Sequence, residues 1–135
     1  MTKDRNMKDL VYHWLGRAVE SLESARSELD AGRLAYVVNR LYYALFYLVT
    51  AALAVKGENH GKHSAVRSSF HREYVRTGKV DKTFGKLYDE LFHARHQGDY
   101  MPMVTFDETV IRQQLQDVEK FISEFSGKIK QMLEM

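Results

Sequence analysis

The chain has 135 residues, 44% hydrophobic content and a formal charge of +2, so it is sized for one domain with one real core, and its overall charge is too slight to mark a nucleic-acid binder by itself. Cysteine is absent, which excludes disulfides and thiolate metal sites and fits a cytoplasmic setting. One proline and scarce strand-like alternation predict an all-α protein, and the polar stretch from Met1 to Asp9 offers no signal peptide, so export is not expected.

The first predicted helix runs from Met7 to Asp30, with residues 1–6 frayed and Asn6 as N-cap. Leu10, Val11, Trp14, Leu15, Ala18, Leu22, Ala25 and Leu29 form its apolar stripe, and His13, Arg17, Glu20 and Ser24 lie opposite. Ala31 and Gly32 stop it before a second helix begins near Leu34, and so short a turn makes the two helices antiparallel. That second helix holds fifteen uncharged residues between Arg40 and Lys56, fewer than the ~20 of a membrane span, and so reads as a buried central helix. Its helical wheel has an aliphatic side, Leu41, Leu45, Leu48 and Val55 with Ala44, Ala51 and Ala52. The other side is polar and aromatic: Asn39, Tyr42, Tyr43, Phe46, Tyr47 and Thr50. Buried phenols and an amide need partners, which makes the second side the place to look for function.

Residues 57–62 form a loop, after which Val66, Phe70 and Tyr74 mark a short helix from His63 to Val75. Its outer face carries Arg67, Arg72 and Arg76, with Lys79 and Lys82 after them and Lys62 and His63 ahead, either as a solvated face or as an anion- or RNA-contacting surface. Asp81 caps a fourth helix striped with Phe84, Leu87, Tyr88, Leu91 and Phe92. The same wheel puts Arg95 in the middle of the stripe and Asp99 near that face, before Gly98, Tyr100 and Pro102 end the helix. Thr105 to Glu108 has the form of a capping box. It opens a last helix whose seam is Ile111, Leu115, Val118, Ile122, Phe125, Ile129 and Met132, able to cover the bundle or to pair with a second copy.

An arginine keeps its charge wherever it sits, so an inward Arg95 must be paired or solvated. The structural reading is an Arg95–Asp99 ion pair; the functional one joins Arg95 and Asp99 to Tyr100, His63 and the aromatic side of the central helix, a set suited to a phosphate ester. Metal binding is not expected. His60-x-x-His63, His93-x-x-His96 and Glu90-x-x-His93 have ligand-like spacing, yet Glu90 and His93 fall opposite the apolar stripe and no second Glu-x-x-His exists. Phosphate loops, nucleophile elbows, zincin motifs and paired inward carboxylates are also missing, and no cofactor is implied.

With these residues in place, the chain resembles small stand-alone members of the HEPN superfamily (higher eukaryotes and prokaryotes nucleotide-binding), from about Leu10 to Phe125. The likeness lies in Asn39-Arg40-x-Tyr42-Tyr43-Ala44-x-Phe46, in His63-Ser64-x-Val66 with Phe70 and Val75-x-x-Gly78, and in Arg95-x-x-x-Asp99-Tyr100. It implies an up-down bundle of four to five helices, usually dimeric, with the arginine-bearing helix facing its mate. Many members are metal-independent ribonucleases in which four to six residues separate the arginine from a histidine, and many are toxins neutralised by a small nucleotidyltransferase. Here Tyr100, Met101 and Pro102 fill the positions of that histidine. Loss of one proton-transfer group typically forfeits ~10²–10⁴-fold in rate.

The resemblance therefore implies a single-domain homodimer that binds a nucleotide or RNA phosphate, acts with a nucleotidyltransferase-type partner, and is non-catalytic or weakly catalytic. Arg95, Asp99, Tyr100 and His63 are the candidate reaction residues, and Asn39, Arg40, Tyr43, Tyr47, Lys62 and Arg67 the candidate binding residues. The alternatives are a metal-independent ribonuclease toxin and a purely structural helical dimer. No membrane association is expected.

Overall fold

The chain forms five α-helices in a computed structural model: α1 (Thr2–Asp30), α2 (Leu34–Val55), α3 (His63–Phe70), α4 (Lys82–Tyr100) and α5 (Glu108–Leu133), with a π-helical turn (His71–Val75) directly after α3. The structure describes the backbone of residues 2–100 and 105–134 and the side chains of residues 5–96 and 105–134. Among the described residues there is no strand, as expected of an all-α bundle.

α1 starts at Thr2 rather than Met7, so Asn6 is inside the helix and is not its cap. Residues 2–9 contain neither glycine nor proline, so nothing in their backbone stops the helix at Met7. Two glycines close α1 and α2 in the same way. Gly32 (φ 76°) and Gly57 (φ 78°) take the left-handed conformation that only glycine adopts freely. Arg33 N–H then reaches Glu28 C=O and Glu58 N–H reaches Leu53 C=O, each at 3.0 Å, in a Schellman closure. The turn after Gly32 sends α2 back antiparallel to α1, so Ser24 meets Arg40 and Arg17 meets Tyr47.

α2 packs against α1, α3, α4 and α5. Its residues Leu41, Tyr42, Ala44, Leu45, Leu48, Val49, Ala51 and Ala52 are 0% exposed, and the alanines admit neighbouring backbones closely. By length and composition α2 could cross a membrane, but 67% of its most apolar window is buried inside the bundle, as in the core helix of a globular domain. A second layer of the core is aromatic: Phe70, Tyr74, Phe84, Tyr88, Phe121 and Phe125, with Phe84 and Phe121 4.4 Å apart. Each such ring contributes roughly 1.5–3 kcal/mol by burial.

Asp81 caps α4 as expected, its carboxylate accepting from the Thr83 N–H at 2.8 Å. The cap of α5 is Asp107 and not Thr105, with the Asp107 carboxylate accepting from the Thr109 N–H at 2.8 Å. An ionised carboxylate beside the first turn gives a stronger, charge-assisted bond than a threonine hydroxyl, which draws the helix start to Glu108. The α5 seam is used within the molecule. Ile111, Leu115, Val118, Ile122, Phe125 and Ile129 are buried, Phe121 and Leu133 join them, and Met132 is half-buried.

Candidate functional site

The polar-aromatic side of α2 divides into two levels. Tyr42 is fully buried, whereas Asn39, Tyr43, Phe46, Tyr47 and Thr50 are half-buried and line an accessible surface. Thr50 turns its hydroxyl back to donate to the Phe46 carbonyl at 2.7 Å and offers no free donor there.

Arg95 arrives at this side from α4. Its guanidinium carbon is 5.3 Å from the ring centroids of both Tyr42 and Tyr43, a double cation–π contact on a half-buried side chain. His63, the first residue of α3, comes from the other direction. Its ring is 4.3 Å from that of Phe46 and 5.7 Å from those of Tyr42 and Tyr43, and its Nδ1 lies 2.9 Å from the Tyr42 hydroxyl. His63 therefore points into the aromatic cluster instead of joining the outer basic face of α3, because an imidazole one turn ahead of buried Val66 and Phe70 follows their stripe. Burial first, and the Arg95 charge second, lower the His63 pKa from its ordinary value. Burial also pushes the Tyr42 phenol up to about 12, so the hydroxyl facing His63 keeps its proton. At neutral pH the site thus holds a fixed cation, a neutral imidazole and the protonated Tyr42 phenol.

Next to it, across Tyr43, a cavity of about 250 Å³ lies between α1 and α2, lined by Arg17, Ser21, Asn39, Arg40, Tyr43 and Tyr47. Arg17 donates to the Tyr47 hydroxyl at 3.2 Å and stands over its ring, while the Trp14 ring stacks on Tyr47 at 5.6 Å with planes 14° apart. Arg40 donates to Ser24 at 3.0 Å and to the Asn39 side-chain carbonyl at 2.6 Å, leaving its remaining N–H groups for a ligand. Asn39, Arg40, Tyr43 and Tyr47 are thereby gathered in one place. Arg17 and Ser21 are additions that the sequence hides, since Arg17 reads there as the solvent side of α1. Their signal is register: in an antiparallel pair closed at Gly32, residues 17, 21 and 24 stand beside 47, 43 and 40.

Other candidates lie apart. Arg67 bonds Asp89 at 2.7 Å and covers the Phe92 ring, and Lys62 is exposed ahead of α3. Asp99 and Tyr100 belong to the last turn of α4, but their side chains fall outside the described residues, as does any Arg95–Asp99 contact. Glu90, His93 and His96 are exposed, His60 is placed by Glu58 and Ser69, and among the described residues no three metal-ligating side chains converge.

The family model for the HEPN domain matches residues 11–129. The chain belongs to the HEPN domain family. A UPF0332 protein of Thermotoga maritima is 41% identical over 123 residues, covering 91% of this chain and 93% of the relative. A Methanocaldococcus jannaschii protein named "Putative toxin MJ0142" is 32% identical over 84 residues, 62% of this chain and 57% of that protein. The UPF0332 protein PH1297 of Pyrococcus horikoshii is 34% identical over 76 residues, 56% of this chain and 51% of the relative. In this HEPN domain the match takes in α2, α3 and α4, the three helices that bring Tyr42, Tyr43, His63 and Arg95 together.

Proposed function

We propose that this HEPN domain is a toxin-like module that binds the phosphate of a nucleotide or RNA on the polar-aromatic side of α2, works as a homodimer with a nucleotidyltransferase-type partner in the cytoplasm, and has little or no catalytic activity of its own. The observation that carries this reading is Arg95 held over Tyr42 and Tyr43, next to a cavity carrying Arg17 and Arg40. A guanidinium beside aromatic rings places a fixed positive charge where a phosphate is attracted, and a phenol ring next to it offers a stacking surface for a base. Calorimetric titration of the purified protein with AMP and with a short RNA tests it: binding is expected, weakened at least tenfold in Arg95→Ala. No binding to either, together with no retention of a nucleotidyltransferase encoded beside it, overturns the reading.

One observation favours a second reading, a metal-independent ribonuclease. His63 is neutral near pH 7 and shares the Tyr42–Tyr43 cluster with Arg95, so the guanidinium could hold a phosphodiester while the imidazole takes the proton of the adjacent 2′-hydroxyl. RNA incubated in EDTA with the protein and with its Arg95→Ala and His63→Ala variants decides. Cleavage lost in both variants supports the enzyme; absent cleavage, or cleavage unchanged by both, removes it.

A further inference from the structure

The cations of α3 and the segment after it divide into two groups. Arg67 and His71 are committed to Asp89, at 2.7 and 2.9 Å, and Arg72 is committed to Glu58 and Glu73. In the π-helical turn the Arg76 N–H bonds the His71 carbonyl at 2.8 Å, which swings Arg76 to the side of Arg67 and His71. Lys79 is sent the other way. Gly78 takes the left-handed conformation (φ 75°), its N–H bonds the Val75 carbonyl at 3.1 Å, and the Val80 N–H closes on the Tyr74 carbonyl at 3.1 Å. Val80 is thereby buried, and Lys79 is laid back over Tyr74 with its Nζ 5.8 Å from the ring centroid.

Two further lysines reach the same place from other helices. Lys56, directly after α2, holds its Nζ 4.8 Å from the centroid of the same Tyr74 ring. Lys128 of α5 and Lys79 both line a recess of about 350 Å³, together with Tyr74, Phe125, Gln131 and Met132. Its floor is rigid and apolar. Tyr74 and Phe125 are core residues, edge to face at 5.4 Å, and Tyr74 is pinned by its hydroxyl donating to the Ala52 carbonyl at 2.9 Å.

The rim is short of negative charge. Glu73 is the carboxylate bonded to Lys56, at 3.2 Å, and it is shared with Arg72 at 3.2 Å. Neither Lys79 nor Lys128 forms an ion pair among the described residues. The Lys56 ammonium beside it lowers the Lys79 pKa from its ordinary value, as expected of two like charges held together. An anion seated at the rim is attracted by both and offsets their repulsion.

We infer that this recess binds a small amphipathic carboxylate, its apolar body on Tyr74, Phe125 and Met132 and its charge on the lysine rim. The size fits a single ring or a short chain, since the recess lies at the low end of the roughly 300–1,000 Å³ of ligand pockets. Charge complementarity selects the anion, and the apolar floor selects against a bare inorganic one. Lysine ammoniums are point charges without the planar fork of arginine, which suits one carboxylate better than a chain of phosphates. The site is separate from Arg95, because Tyr43 and Lys56 are about 20 Å apart along α2.

The test follows the Met132 methyl resonance in the full chain labelled at methionine methyl groups, with Met132→Leu giving the assignment. The probe is 3-phenylpropanoate, beside 3-phenylpropanol and 3-phenylpropylamine, which keep the body and change the charge, and inorganic phosphate, which keeps only a charge. A saturable shift is expected with the carboxylate, at least tenfold weaker binding with the alcohol, the amine and phosphate, and at least a tenfold loss in Lys79→Gln/Lys128→Gln. Lys79→Gln alone, at an exposed position without an ion pair, covers the case in which the double variant melts early. Arg95→Ala is expected to leave the titration unchanged, and loss of the shift there would place the ligand at the other site and overturn the inference. No saturation by the carboxylate below about 10 mM, equal binding of the alcohol or of phosphate, or affinity unaffected by both lysine variants also overturns it.

Discussion

The imidazole of His63 sits against Phe46, Tyr42 and Tyr43, where burial and then the Arg95 charge lower its pKa below the unfolded value of about 6.5. The unfolded chain therefore takes up this proton more readily than the folded one, and stability rises with pH between the two values. The contribution is complete above about pH 6.5 and is lost as pH falls through the lowered folded pKa. Urea midpoints measured from about pH 5 to 7.5 are expected to fall on acidification, with a shallower fall in His63→Gln; identical slopes would remove His63 as a source. Arg95→Gln deletes the second cause and leaves the first. The His63 ring titration followed by NMR is then expected to move up yet remain under the ordinary value, and no movement would mean that the two groups are electrostatically independent. Arg95 is the residue whose inward aim the sequence makes legible, because it interrupts an apolar stripe. Tyr42 is the opposite case: the wheel groups it with Tyr43, but burial on all sides makes it the partner of His63 and removes it from the accessible face.

At the scale of the element, two helical glycines separate local propensity from packing. Gly127 in α5 has open space where a side chain would go, so Gly127→Ala is expected to stabilise the protein by about 1 kcal/mol through helix propensity alone. Gly85 in α4 faces the π-helical turn. A methyl there would meet His71 Cε1 and Val75 Cγ2 at 3.0 Å, and Val75 is too stiff at its branched β-carbon to yield easily. Overpacking of about 1–3 kcal/mol then exceeds the propensity gain, so Gly85→Ala is expected to lower the melting temperature and disturb the His71–Asp89 bond, whereas a gain equal to that of Gly127→Ala would show that the close approach is soft. The stripes of all five helices were readable from period alone. Their ends were readable where glycine set them, at Gly32 and Gly57, and less so at Asn6 and Thr105, where several residues could cap and the stronger electrostatic cap or an uninterrupted first turn prevailed.

For the whole molecule, the α5 seam is buried within the bundle and is not available to a second copy, while Tyr43, Phe46 and Tyr47 of α2 remain half-buried. The proposed homodimer would add cover to that aromatic side with the Arg95 helix toward its mate. Sedimentation velocity is expected to give twice the 15.8 kDa chain mass, and a monomer at every concentration would remove the dimer from the reading.

By itself the sequence determined the all-α class, the five amphipathic stripes, the buried character of α2 and the presence of an inward arginine, because each follows from periodicity and charge along one element. Tertiary structure decided which side chains meet. Arg17 and Ser21 join Asn39, Arg40, Tyr43 and Tyr47 through an antiparallel register, His63 turns to Tyr42 through its place ahead of a buried stripe, and Arg76 reaches Arg67 and His71 through a π-helical turn. Register, rotation and the phase of a helix are set by packing between elements, and a periodicity read along one element carries no information about them.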